Sequence, residues 1–365
     1  MINRTKHLIT ALLALGFIMV LAPAVMAVEN DECMECHSDA ALSRDQSSGM
    51  KEMLYINYNN FKHSVHNING IACVDCHADI EELDWEQEIP HPVTLEPVDC
   101  ASCHEDISEA YRNSVHHKAR TKGITIPCYA CHEYHYTSHL EAASVKERQN
   151  NFCMKCHKPS MFHDWLPQKE AHFDFVECTV CHAPDSPRHI NLRVYDLVQD
   201  RFLDPDEFLR NLRTSFDGFL GLIDRNGNST IDEDEFLDMV ILLRQWEIRA
   251  TFHGELVTDV QASVHQVNRG EANRDCAQCH TATSPYFEDV RFSLARADGT
   301  VVHYPVDRDV LETYHVEFNA LGSTRVRLLD KIGLLLIAGG VFVVIVHLTT
   351  RLFTLPLRRD KRDKK

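Results

Sequence analysis

The sequence predicts a mainly α chain with extensive irregular loops, carrying a helix–loop–helix, one small β-hairpin and one C-terminal transmembrane helix. Three observations predict this. Seven short cysteine–histidine motifs recur along 365 residues at intervals too small for each piece to bury a core of its own. An amphipathic stretch, Asp204–Leu222, runs into an oxygen-rich loop and then a second amphipathic stretch. A continuously apolar run, Ile332–Thr350, lies near the C-terminus and is just long enough to cross a bilayer.

Residues 1–27 read as a signal peptide. Arg4 and Lys6 supply the positive start, Leu8–Leu21 the apolar core and Val25-Met26-Ala27 a small-residue cleavage site. An uncleaved anchor is the other reading, but the apolar run is short for a full span.

Residues 28–190 form a dense block with six of the seven motifs. The pairs in the whole chain are Cys33/Cys36, Cys73/Cys76, Cys100/Cys103, Cys128/Cys131, Cys153/Cys156, Cys178/Cys181 and Cys276/Cys279, which together use all 14 cysteines. Each pair is Cys-x-x-Cys with a histidine directly after it: His37, His77, His104, His132, His157, His182 and His280. This is the attachment motif of c-type haem. The thiols add to the porphyrin vinyl groups as thioethers, and the adjacent histidine ligates the iron from one face. Zinc ribbons do not need a histidine after every pair, and a disulfide scaffold would show varied spacings. Seven covalently bound haem c groups are therefore expected, in a multihaem cytochrome block of short helices and long loops.

A haem with two histidine ligands is saturated and suited to electron transfer, whereas an open sixth position permits catalysis. Of the 23 histidines, seven sit in motifs, His7 lies in the leader and His347 in the apolar run, which leaves ample supply for seven distal positions. Ser-Val-His occurs three times, at His66, His116 and His265, each shortly before a motif. His91 and His172 precede motifs in the same way, and His135, His139, His163 and His189 follow motifs closely. The distal candidates are His66, His91, His116, His135, His172, His189 and His265. His63, His117, His253, His303 and His315 are read as surface or propionate-bonding residues.

Residues 191–252 hold the helix–loop–helix. Asp204 caps the first helix and Pro205 sits in its first turn. The loop places Asp224, Asn226, Asn228 and Asp232 at positions 1, 3, 5 and 9, a backbone oxygen of Thr230 at 7 and Glu235 at 12, which is the ligand spacing of an EF-hand calcium loop. Position 6, normally glycine, is Ser229. Helix Glu233–Ala250 follows. The expected ligand is Ca2+, and the alternative is a loop that packs without metal.

Residues 253–308 carry the seventh motif and then Val290–Ala295 and Thr300–Pro305 around Asp298-Gly299, a tight hairpin signal. Residues 309–331 read as a juxtamembrane helix, 332–350 as the transmembrane helix and 351–365 as a basic tail. Basic residues favour the cytoplasmic side, so the haem domain is placed in the periplasm, anchored to the inner membrane. His347, within the span, is read as able to snorkel. The formal charge is −17; without the leader and the tail the exported part is near −24. Nucleic acid is excluded as a partner, because phosphate binding needs a basic surface; the charge suits docking to a basic protein, and a merely solubilising acidic surface is the other reading.

The stretch from Ser64-Val65-His66 through Cys73–His77, then Val98-Asp99-Cys100-Ala101-Ser102-Cys103-His104, and Glu177-Cys178-Thr179-Val180-Cys181-His182 resembles membrane-anchored multihaem cytochromes of bacterial respiratory chains. In particular it resembles the heptahaem subunits that work beside a di-haem b-type membrane cytochrome as a quinone oxidoreductase. The resemblance implies electron flow between membrane quinone, through a b-type cytochrome or quinone oxidoreductase subunit, and periplasmic or outer-membrane cytochromes. The calcium-type loop departs from that family pattern. The expected role is an electron-transfer subunit with no catalytic residue of its own. The competing role is a reductase of a small oxyanion such as nitrite or tetrathionate at a five-coordinate haem.

Overall fold

The structure is a computed structural model that describes residues 28–46, 49–80, 82–281, 283–313, 315–317 and 327–362. The leader, 1–27, lies outside the described residues. The chain divides into two compact units, 1–139 and 140–365, so the division falls inside the block of six motifs.

The first unit is built of one- and two-turn helices. Asn30–His37 starts on a box in which the Glu29 amide donates to the Glu32 carboxylate at 3.0 Å. A small antiparallel hairpin follows, β1 (Ser43–Asp45) and β2 (Lys51–Met53). The first two Ser-Val-His repeats explain themselves locally. Ser64 and Ser114 are N-caps whose hydroxyls accept the amides of Asn67 and His117, so His66 and His116 each sit in the first turn of a four-residue helix. The third repeat differs: Ala262–His265 is a 3-10 turn and the Ser263 hydroxyl is buried without a hydrogen-bond partner. Among the described residues of this unit, only Met34, Phe61 and Ala110 are buried apolar side chains.

The second unit overturns the mainly α expectation. It contains a six-stranded mixed sheet, built from β3 (Arg188–Asp196), β4 (Arg201–Phe202), β5 (Ala250–Thr258), β6 (Val290–Ala295), β7 (Val301–Val306) and β8 (Val316–Glu317), in the order β7-β6-β3-β5-β8 with β4 also on β3. β3 pairs antiparallel with β5 along all nine residues and parallel with β6. The physical reason is alternation. Ile190, Leu192 and Val194 point to one face, with His189, Asn191 and Arg193 on the other. The apolar face meets Phe208, Phe219, Phe236, Phe252 and Phe292 in the core, with Phe236 and Phe252 ring centroids 4.6 Å apart. The expected hairpin is present as β6–β7, but it is one edge of the larger sheet.

Three helix expectations are corrected. Asp204–Leu222 is two helices, Pro205–Asn211 and Phe216–Ile223, separated where Arg213 takes φ 54° and Ser215 caps the second. The helix after the loop runs Glu233–Gln245, and Ala250 already belongs to β5. The segment from Asp309 is not one helix: Arg308–Glu312 is a 3-10 turn and β8 then pairs parallel with β5. The last helix is Arg327–Arg362.

Candidate functional site

Each attachment motif folds as a helical turn. The histidine amide bonds back to the carbonyl of the first cysteine, at 2.9 Å for His77, His104 and His157, 3.0 Å for His132 and 2.8 Å for His280. That turn sets the two thiols three residues apart on one face with the histidine beside them.

The turns are not uniform, and four second cysteines lie outside the short α-helical form. Cys73–Cys76, Cys178–His182 and Cys276–Cys279 are short α-helices. Cys36, by contrast, lies inside the two-turn helix Asn30–His37, with its side chain exposed and its carbonyl accepting the Asp39 amide at 3.0 Å. Cys131 and Cys156 lie just past 3-10 turns, Cys128–Ala130 and Cys153–Lys155, as Cys103 does past Cys100–Ser102. Their amides donate to Cys128 and Cys153 at 3.1 and 3.3 Å; Cys131 is half-buried and Cys156 exposed.

Among the described residues no cysteine is in a disulfide, and Cys36, Cys131 and Cys156 are not drawn into a metal-holding cluster with their neighbouring histidines. In a thioether the thiol would meet a vinyl group at the porphyrin edge and not the iron. For these three residues the motif spacing and the turn are the evidence for attachment.

Five motif histidines face a second histidine from another part of the chain. In the first unit the ring centroids are 6.1 Å apart for His37 and His91, 6.1 Å for His66 and His104 and 6.4 Å for His77 and His135. In the second they are 6.0 Å apart for His163 and His182 and 5.9 Å for His172 and His280. Two imidazoles on opposite sides of one iron, with metal–nitrogen bonds of about 2 Å, set their centroids about 6.3 Å apart. The observed separations fit a single iron between the rings.

The ring tautomers agree. Nδ1 lies on a backbone carbonyl in His37 (Leu54, 2.8 Å), His91 (Pro92, 2.9 Å), His163 (Pro159, 2.9 Å) and His172 (Gln168, 3.2 Å). A proton held on Nδ1 leaves Nε2 with the lone pair a metal needs. Burial also pushes His66, His77 and His182 below the ordinary histidine range and takes His135 down to about 4, which keeps these rings neutral.

Of the sequence candidates, His66, His91, His135 and His172 thus face a motif histidine. His189 faces His303 instead. His116 stands on its capped turn, and His265 Nδ1 is 3.2 Å from the Ala262 carbonyl. His163, noted for following the fifth motif closely but not among the seven candidates, faces the sixth motif. The other partners skip the neighbouring motif: His91 precedes the third motif and faces the first, and His172 precedes the sixth and faces the seventh.

Side chains and backbone lock successive motifs together within each unit. The Cys73 amide donates to Asn30 Oδ1 at 2.7 Å. The Tyr111 hydroxyl donates to the Ile126 carbonyl. Arg148 pairs with Glu177 at 2.8 Å and Gln149 donates to the Val176 carbonyl at 2.8 Å. The amides of Asn268 and Asn273 donate to the carbonyls of His182 and Cys181, each at 2.8 Å.

The calcium-type loop has the backbone the motif requires. Ser229 adopts φ 63° at the position usually held by glycine, and Gly227 adopts φ 75°. Asp224 accepts the amides of Gly227, Asn228 and Ser229, and Glu235 accepts those of Arg225 and Asn226. Ile231 ties the loop to the sheet: its amide donates to the Pro305 carbonyl at 2.9 Å and its carbonyl accepts the Asp307 amide at 2.8 Å. Among the described residues, no three His, Cys, Asp or Glu side chains are already gathered around one point. One described helix segment, Ile332–Thr354, is long and apolar enough to cross a membrane.

Helical Cys-x-x-Cys-His turns with imidazoles set across from them define a c-type cytochrome, with haem attached through the motif thiols. The family described as cytochrome c554 and c-prime matches residues 99–183. The matched stretch contains the motifs at Cys100, Cys128, Cys153 and Cys178, and it supports an electron-transfer role. No curated protein and no solved structure matches the chain.

Proposed function

We propose that this chain is a heptahaem electron relay of the inner membrane, with its haem domain in the periplasm and its C-terminus in the cytoplasm. It passes electrons between the quinone pool, through a b-type cytochrome partner, and periplasmic or outer-membrane cytochromes. The pairing of imidazoles carries this reading. His37/His91, His77/His135, His66/His104, His163/His182 and His172/His280 would hold the irons of the first, second, third, sixth and seventh motifs, and His116 and His265 are the candidates for the motifs at His132 and His157. Bound haem would supply one-electron redox chemistry at iron. Two imidazoles on each iron would leave no open position for substrate, and Asn30, Tyr111, Arg148 and Gln149 tie neighbouring motifs together. The apolar helix Ile332–Thr354 supports the anchor. Loop geometry, with Ser229 left-handed, supports Ca2+ held by Asp224, Asn226, Asn228, Thr230, Asp232 and Glu235.

Electron paramagnetic resonance of the purified holoprotein tests the reading. Low-spin signals alone are expected, and His135→Ala is expected to convert one haem in seven to high spin. A substantial high-spin signal in the unaltered protein would instead favour the oxyanion reductase.

A further inference from the structure

The polar face of the second unit's sheet carries a histidine pair that no attachment motif uses. His189 on β3 and His303 on β7 face each other with ring centroids 6.0 Å apart and planes inclined by 75°. Each ring is held from behind through Nδ1: His189 lies 2.7 Å from the Asp259 carboxylate and His303 2.8 Å from the Ser293 hydroxyl. Proteins steady metal-ligating imidazoles in this way, and the support leaves Nε2 to bind. Glu141 Oε2 lies 3.6 Å from His303 Nε2. Donors on one first-row ion, bonded at about 2.0–2.1 Å, stand about 3 to 3.5 Å apart, so a small side-chain shift brings Glu141 into the set.

Glu141, His189 and His303 line one small pocket together with Arg148, Asn191 and Asp259, with room for about one water-sized group. A porphyrin does not fit there. The cavity wall contains an orphan: Asn191 Oδ1 is buried with no hydrogen-bond partner, as expected of an acceptor waiting for a metal-bound water.

We propose that His189, His303 and Glu141 form a mononuclear site for a divalent first-row transition-metal ion of the zinc type, separate from the haem irons and the calcium-type loop. Two imidazoles and one carboxylate are a known zinc ligand set with a position left open. The three donors are not gathered around one point in this structure, so binding requires the Glu141 carboxylate, 3.6 Å from His303 Nε2, to shift toward both imidazoles.

The test uses detergent-solubilised full-length holoprotein with excess Ca2+, stripped by chelator dialysis and titrated with Zn2+ by calorimetry, followed by zinc-edge X-ray absorption. One equivalent of zinc is expected, with two imidazole ligands in the absorption fine structure. His303→Ala should weaken binding by roughly 100-fold or more, and Ser293→Ala, which leaves all three donors in place, by roughly 10- to 100-fold. Iron content and low-spin haem bands should stay unchanged in both. Three results overturn the proposal: no zinc taken up by the unaltered protein, undiminished uptake in His303→Ala, or a high-spin haem signal in His303→Ala, which would give that imidazole to an iron.

Discussion

Glu255 on β5 lies on the same polar face, 3% exposed, with Oε1 accepting the Val145 amide at 3.2 Å and Oε2 3.7 Å from Arg193. Burial raises its pKa from 4.5 to about 7, against the pull of Arg193 and Arg148. The native state therefore holds a proton between those values that the unfolded chain has already lost. Stability from this residue is fully present at low pH and declines as pH rises from 4.5 through about 7, by on the order of 3 kcal/mol in total. Glu255→Gln should flatten that part of the stability–pH curve, which thermal melts of the holoprotein between pH 5 and about 8 would show; an unchanged slope would mean the carboxylate stays ionised in the fold. At this scale the sequence was half legible. The attachment residues are contiguous because one porphyrin must meet both thiols at its vinyl groups and the histidine at its iron. The facing rings are joined to their motifs only through space, so His163 was named but left out of the seven candidates, and His303, read as a surface or propionate-bonding residue, shares a pocket with His189.

The calcium-type loop is the element where local pattern and conformation agree most closely. Its oxygen spacing was readable, and the departure at Ser229 is absorbed by the backbone, which holds that serine at φ 63°, a left-handed conformation that costs on the order of 1 kcal/mol for a residue with a Cβ. Through Ile231 the loop is bonded to β7, so an ion held there would be felt by the sheet and not only by the loop. Calcium at about 100 times its dissociation constant should raise stability by about 2.7 kcal/mol, and Glu235→Gln should abolish the gain; calorimetric melts with calcium and with chelator read both. The strands were legible in part. β6 and β7 announce themselves through Asp298-Gly299, but β3 and β5 lack a tight turn between them, since the whole helix–loop–helix is inserted there. The alternation Ile190, Leu192, Val194 was the available signal. The break at Arg213 had no comparable sign, because the apolar spacing continues across it.

At the scale of the molecule, the two units differ in what holds them together. The second has a continuous core of sheet and helices centred on Phe208, Phe219, Phe252 and Phe292. The first has only Met34, Phe61 and Ala110 as buried apolar side chains among its described residues, too few to offset the conformational entropy of ordering a segment of that length. Haems attached at its four motifs would place porphyrin faces where a core would otherwise be, and the exposed Tyr129 and Tyr134 beside the fourth motif are surfaces a haem would cover. Order in residues 28–139 should therefore depend on haem attachment, while the sheet should not. The full chain produced without haem attachment, examined by hydrogen exchange, should exchange its amides in 28–139 at nearly unfolded rates, while amides of β3, β5 and β6 stay protected. Equal protection in both units would mean the first is ordered by polypeptide contacts alone; equal loss would mean the apolar face of the sheet cannot sustain itself. The expected asymmetry follows from composition: six cysteine–histidine motifs are packed before residue 190, and most of the buried phenylalanines come after it.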